Sequence, residues 1–266
     1  MRRTAPILTY AERVRFALVL AVIGFVMLLS SACACYQRPM TRVESSHSVY
    51  QIGVTVHEDV GDVGWWGTGW VVARYGGRSY IMTAGHVCET RKAIENPDPL
   101  GLGTGDMAVV KSVDYTLIAS DDKKYDGATV VLDDDDVDLC VLAIQGDFGE
   151  PMPLAGVDPQ YGSRGWYVGA PRAIWGGGIA GIYETTYSGR GTPFKGGCED
   201  GSKLCDNAAE VFSTAEGAPG ASGSPILVDG RVVAVLNMVD GRFPTFTVGV
   251  PWDTVRAFLA RAHVVV

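Results

Sequence analysis

The chain has 266 residues, 47% hydrophobic and 20% charged, with 34 glycines, 13 prolines and 11 tyrosines, a composition that excludes a disordered tail and favours many short strands over an all-helical bundle. Its formal charge of −8 is uneven: residues 1–42 carry six arginines against Glu12, a net of +5, while the remainder carries 16 basic and 29 acidic residues, a net of −13. So acidic a body repels a phosphate backbone, and no basic stripe with interleaved aromatics reverses that, which makes nucleic acid a poor candidate partner.

Arg2, Arg3, Arg13 and Arg15 precede an uninterrupted apolar run of 14 residues, Phe16 to Leu29, which ends in the small residues Ser30, Ser31 and Ala32. That order is the order of an export signal. The run is short for a span, which needs roughly 20 residues, although extension through Cys35 just reaches that length. Ser31-Ala32-Cys33 resembles the end of a bacterial lipoprotein signal, yet Ser30 stands where leucine is usual. Residues 1–42 are therefore expected to be a signal or lipoprotein-type leader, or a membrane anchor with linker, the membrane being met through a lipid anchor or a single span. Each places the body outside the cytoplasm, in the cell envelope or beyond it. Disulfides are permissible there, and Cys198 with Cys205, which bracket a polar loop, form the best intrachain pair. Cys88 and Cys140 lie inside apolar strings and read as buried free thiols.

From Val49 onward strand follows turn. Tyr50 to His57 alternates, and Gly69 to Arg74 with Tyr80 to Thr83 flanks the turn Tyr75-Gly76-Gly77-Arg78. Further strands are expected at Ala108 to Val113, Tyr115 to Ala119, Gly127 to Leu132, Leu139 to Ile144, Gly165 to Gly169, Gly178 to Tyr187, Ala209 to Ser213, Pro225 to Leu227, Val232 to Met238 and Phe246 to Val250. Short strands at such spacing indicate a barrel or sandwich. Only the end reads as helix, with Pro251-Trp252-Asp253 opening it and Val255, Phe258 and Leu259 on one face.

Among the four histidines, His86 follows the apolar strand Tyr80-Ile81-Met82 within Thr83-Ala84-Gly85-His86. Ser222 lies in Gly217-Ala218-Pro219-Gly220-Ala221-Ser222-Gly223-Ser224-Pro225, where little bulk surrounds the hydroxyl and glycine lets backbone N–H groups turn toward a developing oxyanion. Asp133 to Asp136 read as a solvated loop, whereas Asp138 borders an apolar strand, where a carboxylate can be buried against an imidazole.

Together Thr83-Ala84-Gly85-His86, Asp138-Leu139-Cys140-Val141 and Gly220-Ala221-Ser222-Gly223-Ser224-Pro225 resemble the three signature blocks of chymotrypsin-like (trypsin-like) serine peptidases, above all the bacterial HtrA-type branch. Gly67 to Val72, Tyr167 to Pro171, Val233 to Asn237 and Thr247 to Pro251 are similar to further strands and turns of that family, so the resemblance covers roughly residues 48–262. It implies an all-β double six-stranded β-barrel with a short C-terminal helix, residues 43–150 forming the first barrel with His86 and Asp138 and residues 151–266 the second with Ser222. The departures are Ala221 before the serine, Ser224 after it where glycine is common, and the lack of a PDZ domain.

The resemblance further implies a serine endopeptidase acting on protein or peptide without metal or organic cofactor. Ser222 is its nucleophile, His86 its base, Asp138 the residue that orients the base, and the N–H groups of Gly220 and Ser222 its oxyanion hole. Asn237, Met238 and Val239 are expected as the edge strand that pairs with an extended substrate. Glu216, six residues before the serine, either floors the specificity pocket and favours a basic residue or points to solvent. Trp65, Trp66 and Trp70 read as barrel packing. The rival reading is an inactive binding module on the same fold; an α/β-hydrolase would show the order Ser, Asp, His, which this chain does not.

Overall fold

The structure is a computed structural model, and it describes residues 38–59, 61–88, 110–170, 180–191, 209–213, 217–239 and 246–266. The leader with Cys33 and Cys35, the Cys198 and Cys205 pair and Glu216 lie outside the described residues. Residues 39–266 form one compact unit.

Its strands are β1 (Val49–Glu58), β2 (Asp62–Tyr75), β3 (Arg78–Ala84), β4 (Val110–Ile118), β5 (Lys124–Asp134), β6 (Leu139–Gln145), β7 (Arg164–Gly169), β8 (Gly181–Gly191), β9 (Ala209–Ser213), β10 (Pro225–Val228), β11 (Arg231–Val239) and β12 (Phe246–Pro251). They close two barrels, in the orders β1-β2-β3-β6-β5-β4 and β10-β11-β12-β9-β8-β7. Every pairing between these strands is antiparallel, and closure pairs each strand on both sides over at least part of its length. The β2–β3 hairpin turns at Gly76 and Gly77, with φ of 61° and 72°, the left-handed pair that a two-residue turn matched to strand twist requires.

The residue pattern explains three layers of core. Ile52, Val54, Val71, Ile81, Tyr115, Leu117, Leu142 and Ile144 fill the first barrel. Tyr167, Phe212, Ile226, Val233 and Leu236 fill the second. The opposite faces of some of the same strands, with Trp70, Met82, Leu139, Val168, Leu227 and Val235, form a third cluster that joins the barrels. Alternation along a strand sends one set of side chains inward and the other into this seam.

Helix α1 (Arg42–Ser46) is short and was not legible from periodicity; Thr41 caps it through a reciprocal bond pattern with Glu44. It rests on the second barrel, where Arg42 pairs with Glu184 at 2.8 Å and lies over the Trp166 ring, and Met40 N–H donates to the Gly230 carbonyl. Helix α2 is the single turn Gly85–Cys88. Helix α3 (Trp252–Arg261) buries Val255, Phe258 and Leu259, the face expected from their spacing. Its end reaches the first barrel, with Arg261 on Asp134 at 2.6 Å and the Tyr75 hydroxyl donating to the His263 carbonyl at 3.1 Å.

Two expectations need correction here. Ala108 to Val113 and Tyr115 to Ala119 are not separate strands, since β4 runs continuously over Val110–Ile118. Of the three tryptophans, Trp70 is fully buried, but Trp66 is 51% exposed: it sits on the outer face of β2, above Gly53, whose missing side chain leaves room for the indole.

Candidate active site

His86 and Asp138 are 52 residues apart in sequence and meet where β3 and β6 end side by side, in a register that sets Ala84 opposite Leu139. The His86 backbone N–H donates to Asp138 Oδ1 at 2.8 Å, and the ring Nδ1 lies 3.0 Å from both carboxylate oxygens. A carboxylate only accepts, so Nδ1 carries the proton and Nε2 presents its lone pair. The Asp138 side chain is 7% exposed and that of His86 39%: the acid is shielded from water while the base stays open to the surface.

Local backbone makes this contact possible. Asp138 sits at φ of 51°, a left-handed conformation that aspartate tolerates better than bulkier residues. Gly85 is needed at its position because a Cβ there would stand 2.9 Å from Leu139 N and 3.0 Å from Asp138 Cα and C. The glycine before the histidine thus admits the backbone that carries the acid.

Between them Cys88 and Cys140 form a disulfide, which overturns their reading as free thiols. Both are fully buried, as their apolar strings imply, and each sits two residues beyond a member of the imidazole–carboxylate pair. The sequence signal that could have revealed the bridge is its separation, 52 residues, the same as that of His86 and Asp138.

The Ser222 segment is built against the same seam. Thr68 N–H donates to the Ser222 carbonyl at 2.8 Å, and Thr68 Oγ1–H donates to the Gly220 carbonyl at 2.7 Å. Gly223, at φ of +87°, is so close to the first barrel that a Cβ would meet the Thr68 carbonyl, Thr83 Oγ1 and Ala84 N, the last at 2.9 Å. Since Ala84 lies two residues before His86, the half-buried Ser222 is brought to the histidine's edge of the seam.

The loop's N–H groups divide into engaged and unengaged. Those of Ala221, Gly223 and Ser224 donate to the carbonyls of Ala218, Leu236 and Ala221 at 2.9, 2.7 and 3.0 Å. Those of Gly220 and Ser222 donate to no described residue. Gly220 has φ of 91°, a conformation suited to turning a backbone N–H toward an incoming oxygen.

Asn237, Met238 and Val239 lie at the end of β11. On one edge Met238 and Val239 pair with Val248 and Thr247, after a register shift at Asn237. On the other edge β10 pairing stops at Val235, and Leu236 is bonded to Gly223 and Ser224. Beyond that point no described strand pairs with this edge of Asn237 to Val239, so an open edge begins beside the Ser222 loop. Asn237 Oδ1 is buried there without a hydrogen-bond partner among the described residues.

A family model, the trypsin-like peptidase domain, matches residues 67–235, more than half of the chain. This chain belongs to that family. Among solved structures, this trypsin-like peptidase domain is similar to an HtrA-type protease with a tripeptide, at 14% identity and a TM-score of 0.59, over 82% of this chain and 60% of that one. It is similar to the active form of the Rv3671c protease from M. tuberculosis, at 19% identity and a TM-score of 0.58, over 86% and 90% of the two chains. A serine endoprotease from Yersinia pestis is similar at 13% identity and a TM-score of 0.57, over 85% and 68%. At these identities the likeness speaks for the fold, which is chymotrypsin-like, and the chain spans about 60% of the length of the HtrA-type protease. No curated protein matches it in sequence.

Proposed function

We infer that this chain is a serine endopeptidase that hydrolyses peptide bonds through Ser222, His86 and Asp138 and an acyl-enzyme intermediate. The observation that carries the reading is the held imidazole: both Asp138 oxygens lie 3.0 Å from Nδ1, which leaves Nε2 to act as base toward the serine delivered to the same seam.

In the reaction, Ser222 Oγ bonds to the peptide carbonyl carbon while its proton passes to His86 Nε2. The carbonyl oxygen takes up the negative charge and is met by the Gly220 and Ser222 N–H groups, each such donor contributing about 3 kcal/mol. The C–N bond then breaks, the leaving amine takes the proton from His86, and the ester left on Ser222 is hydrolysed when His86 activates water. The open edge at Asn237 to Val239 supplies backbone hydrogen bonds to an extended peptide regardless of its sequence. Glu216, which lies outside the described residues, favours a basic residue if it floors the specificity pocket and plays no part in the choice if it points to solvent. The Cys88–Cys140 disulfide supports an exported, oxidising location, with tethering through the leader.

A fluorophosphonate probe tests the reading on the full-length chain. Wild type should be labelled at Ser222 and degrade casein, and Ser222→Ala should do neither. Labelling that survives in Ser222→Ala would assign the chemistry elsewhere, and a chain that neither labels nor degrades casein would be a binding module on a peptidase fold. Peptide-library profiling tests the pocket: Glu216→Gln should weaken preference for Arg or Lys, and an unchanged profile removes Glu216 from it.

A further inference from the structure

We propose that Thr68 is a positioning residue that sets the oxyanion hole, an inference that rests on the peptidase reading above. Thr68 lies on β2 of the first barrel and is fully buried, with its polar atoms all engaged. Its N–H holds the Ser222 carbonyl and its hydroxyl holds the Gly220 carbonyl. Its own carbonyl accepts from Thr83 Oγ1 at 2.7 Å, and its Oγ1 accepts from Ala170 N–H, just beyond β7 of the second barrel, at 3.1 Å. The direction of the hydroxyl bond is unambiguous: a backbone N–H can only donate and a carbonyl can only accept, so the single proton on Oγ1 goes to Gly220.

The N–H groups of Gly220 and Ser222 are unengaged among the described residues, and Thr68 holds the carbonyl of each. A residue's carbonyl lies in the peptide plane that follows its Cα and its N–H in the plane that precedes it, so holding the carbonyl pins one of the two planes that meet there and restricts the rotations by which the N–H can swing. The restraint matters most at Gly220, whose φ of 91° and missing side chain impose little limit of their own. One residue of the first barrel thereby fixes the donors that the second barrel offers to the transition state.

The test compares full-length wild type, Thr68→Val and Thr68→Ser with p-nitrophenyl acetate as substrate and the fluorophosphonate as a tetrahedral probe. Thr68→Val keeps the branched shape and loses the hydroxyl; misplaced donors should lower kcat and the labelling rate together, by about 10²-fold, with KM changed by less than about threefold. Thr68→Ser, which keeps the hydroxyl, should restore both rates to near wild type. A Thr68→Val chain that melts normally and retains kcat overturns the proposal, as does a Thr68→Ser chain as slow as Thr68→Val. Should Thr68→Val not fold, Thr68→Ala against Thr68→Ser isolates the hydroxyl, since both lack the methyl: equal rates in that pair overturn it. A wild type without label or turnover overturns the peptidase reading, and this inference with it.

Discussion

Cys88 and Cys140 are covalently joined two residues beyond His86 and Asp138, so a disulfide and an imidazole–carboxylate pair tie together the same two segments of the first barrel. The bridge closes a 52-residue separation and lies fully buried in the core of the first barrel. Replacing both cysteines by alanine should lower stability by about 2–4 kcal/mol. Because the lost restraint joins the segments that carry the base and its acid, casein hydrolysis should fall as well. Chemical denaturation and turnover, with and without a reductant, check both; an unchanged midpoint would show that the bridge constrains little.

Gly85→Ala places a methyl 2.9–3.0 Å from the backbone of Asp138 and Leu139, where no side-chain rotation can relieve it. The acid must move away from His86. The expected result is a folded protein with kcat lowered by about 10²-fold, since a displacement near 1 Å has that effect on an aligned catalytic group. Circular dichroism and turnover would check this, and full activity in the variant would mean that the segment yields freely.

Strand positions were legible because the barrels obey a period of two, and β9 falls on the residues the pattern marks, Ala209–Ser213. The histidine, aspartate and serine stood out because each lies in a local string whose composition serves its chemistry. What stayed hidden depends on distant partners. Thr68 is an ordinary residue in a glycine-rich strand until Gly220, 152 positions away, supplies its acceptor. Helix α1 has five residues, too few for any period to emerge.

Glu210 on β9 has no exposed surface. The Tyr187 hydroxyl faces it, and Arg190, whose Nε stands 3.8 Å away, is shared with Asp158 and Asp253. Burial pushes its carboxyl up from 4.5 to about 7. The folded state then binds the proton more tightly than the unfolded one, so this contribution is full below about 4.5 and is lost as pH rises through about 7. Between pH 5 and 8, wild type should lose on the order of 3 kcal/mol more than Glu210→Gln. Parallel pH profiles for the two proteins would contradict this.

His57 is clasped on both ring nitrogens, by Asp62 at 2.9 Å and Asp114 at 3.0 Å. The Asp62 bond first and the Asp114 bond second raise its pKa above 6.5. The resulting stabilisation is present below 6.5, the unfolded value, and is lost as pH rises through the higher folded one. An NMR titration should place the His57 midpoint above that of a free histidine, and Asp62→Asn should bring it down. A midpoint indifferent to that substitution would show the clasp to be incidental.

The attachments at the two ends of the compact unit run crosswise. The segment preceding β1 is fastened to the second barrel by Met40 and Arg42, and the helix following β12 is fastened to the first by Arg261 and the His263 carbonyl. Neither barrel carries its full set of partners within its own stretch of polypeptide. Cutting the gene between β6 and β7 would leave each half without its fastening, and heating the intact protein should show one cooperative transition rather than two.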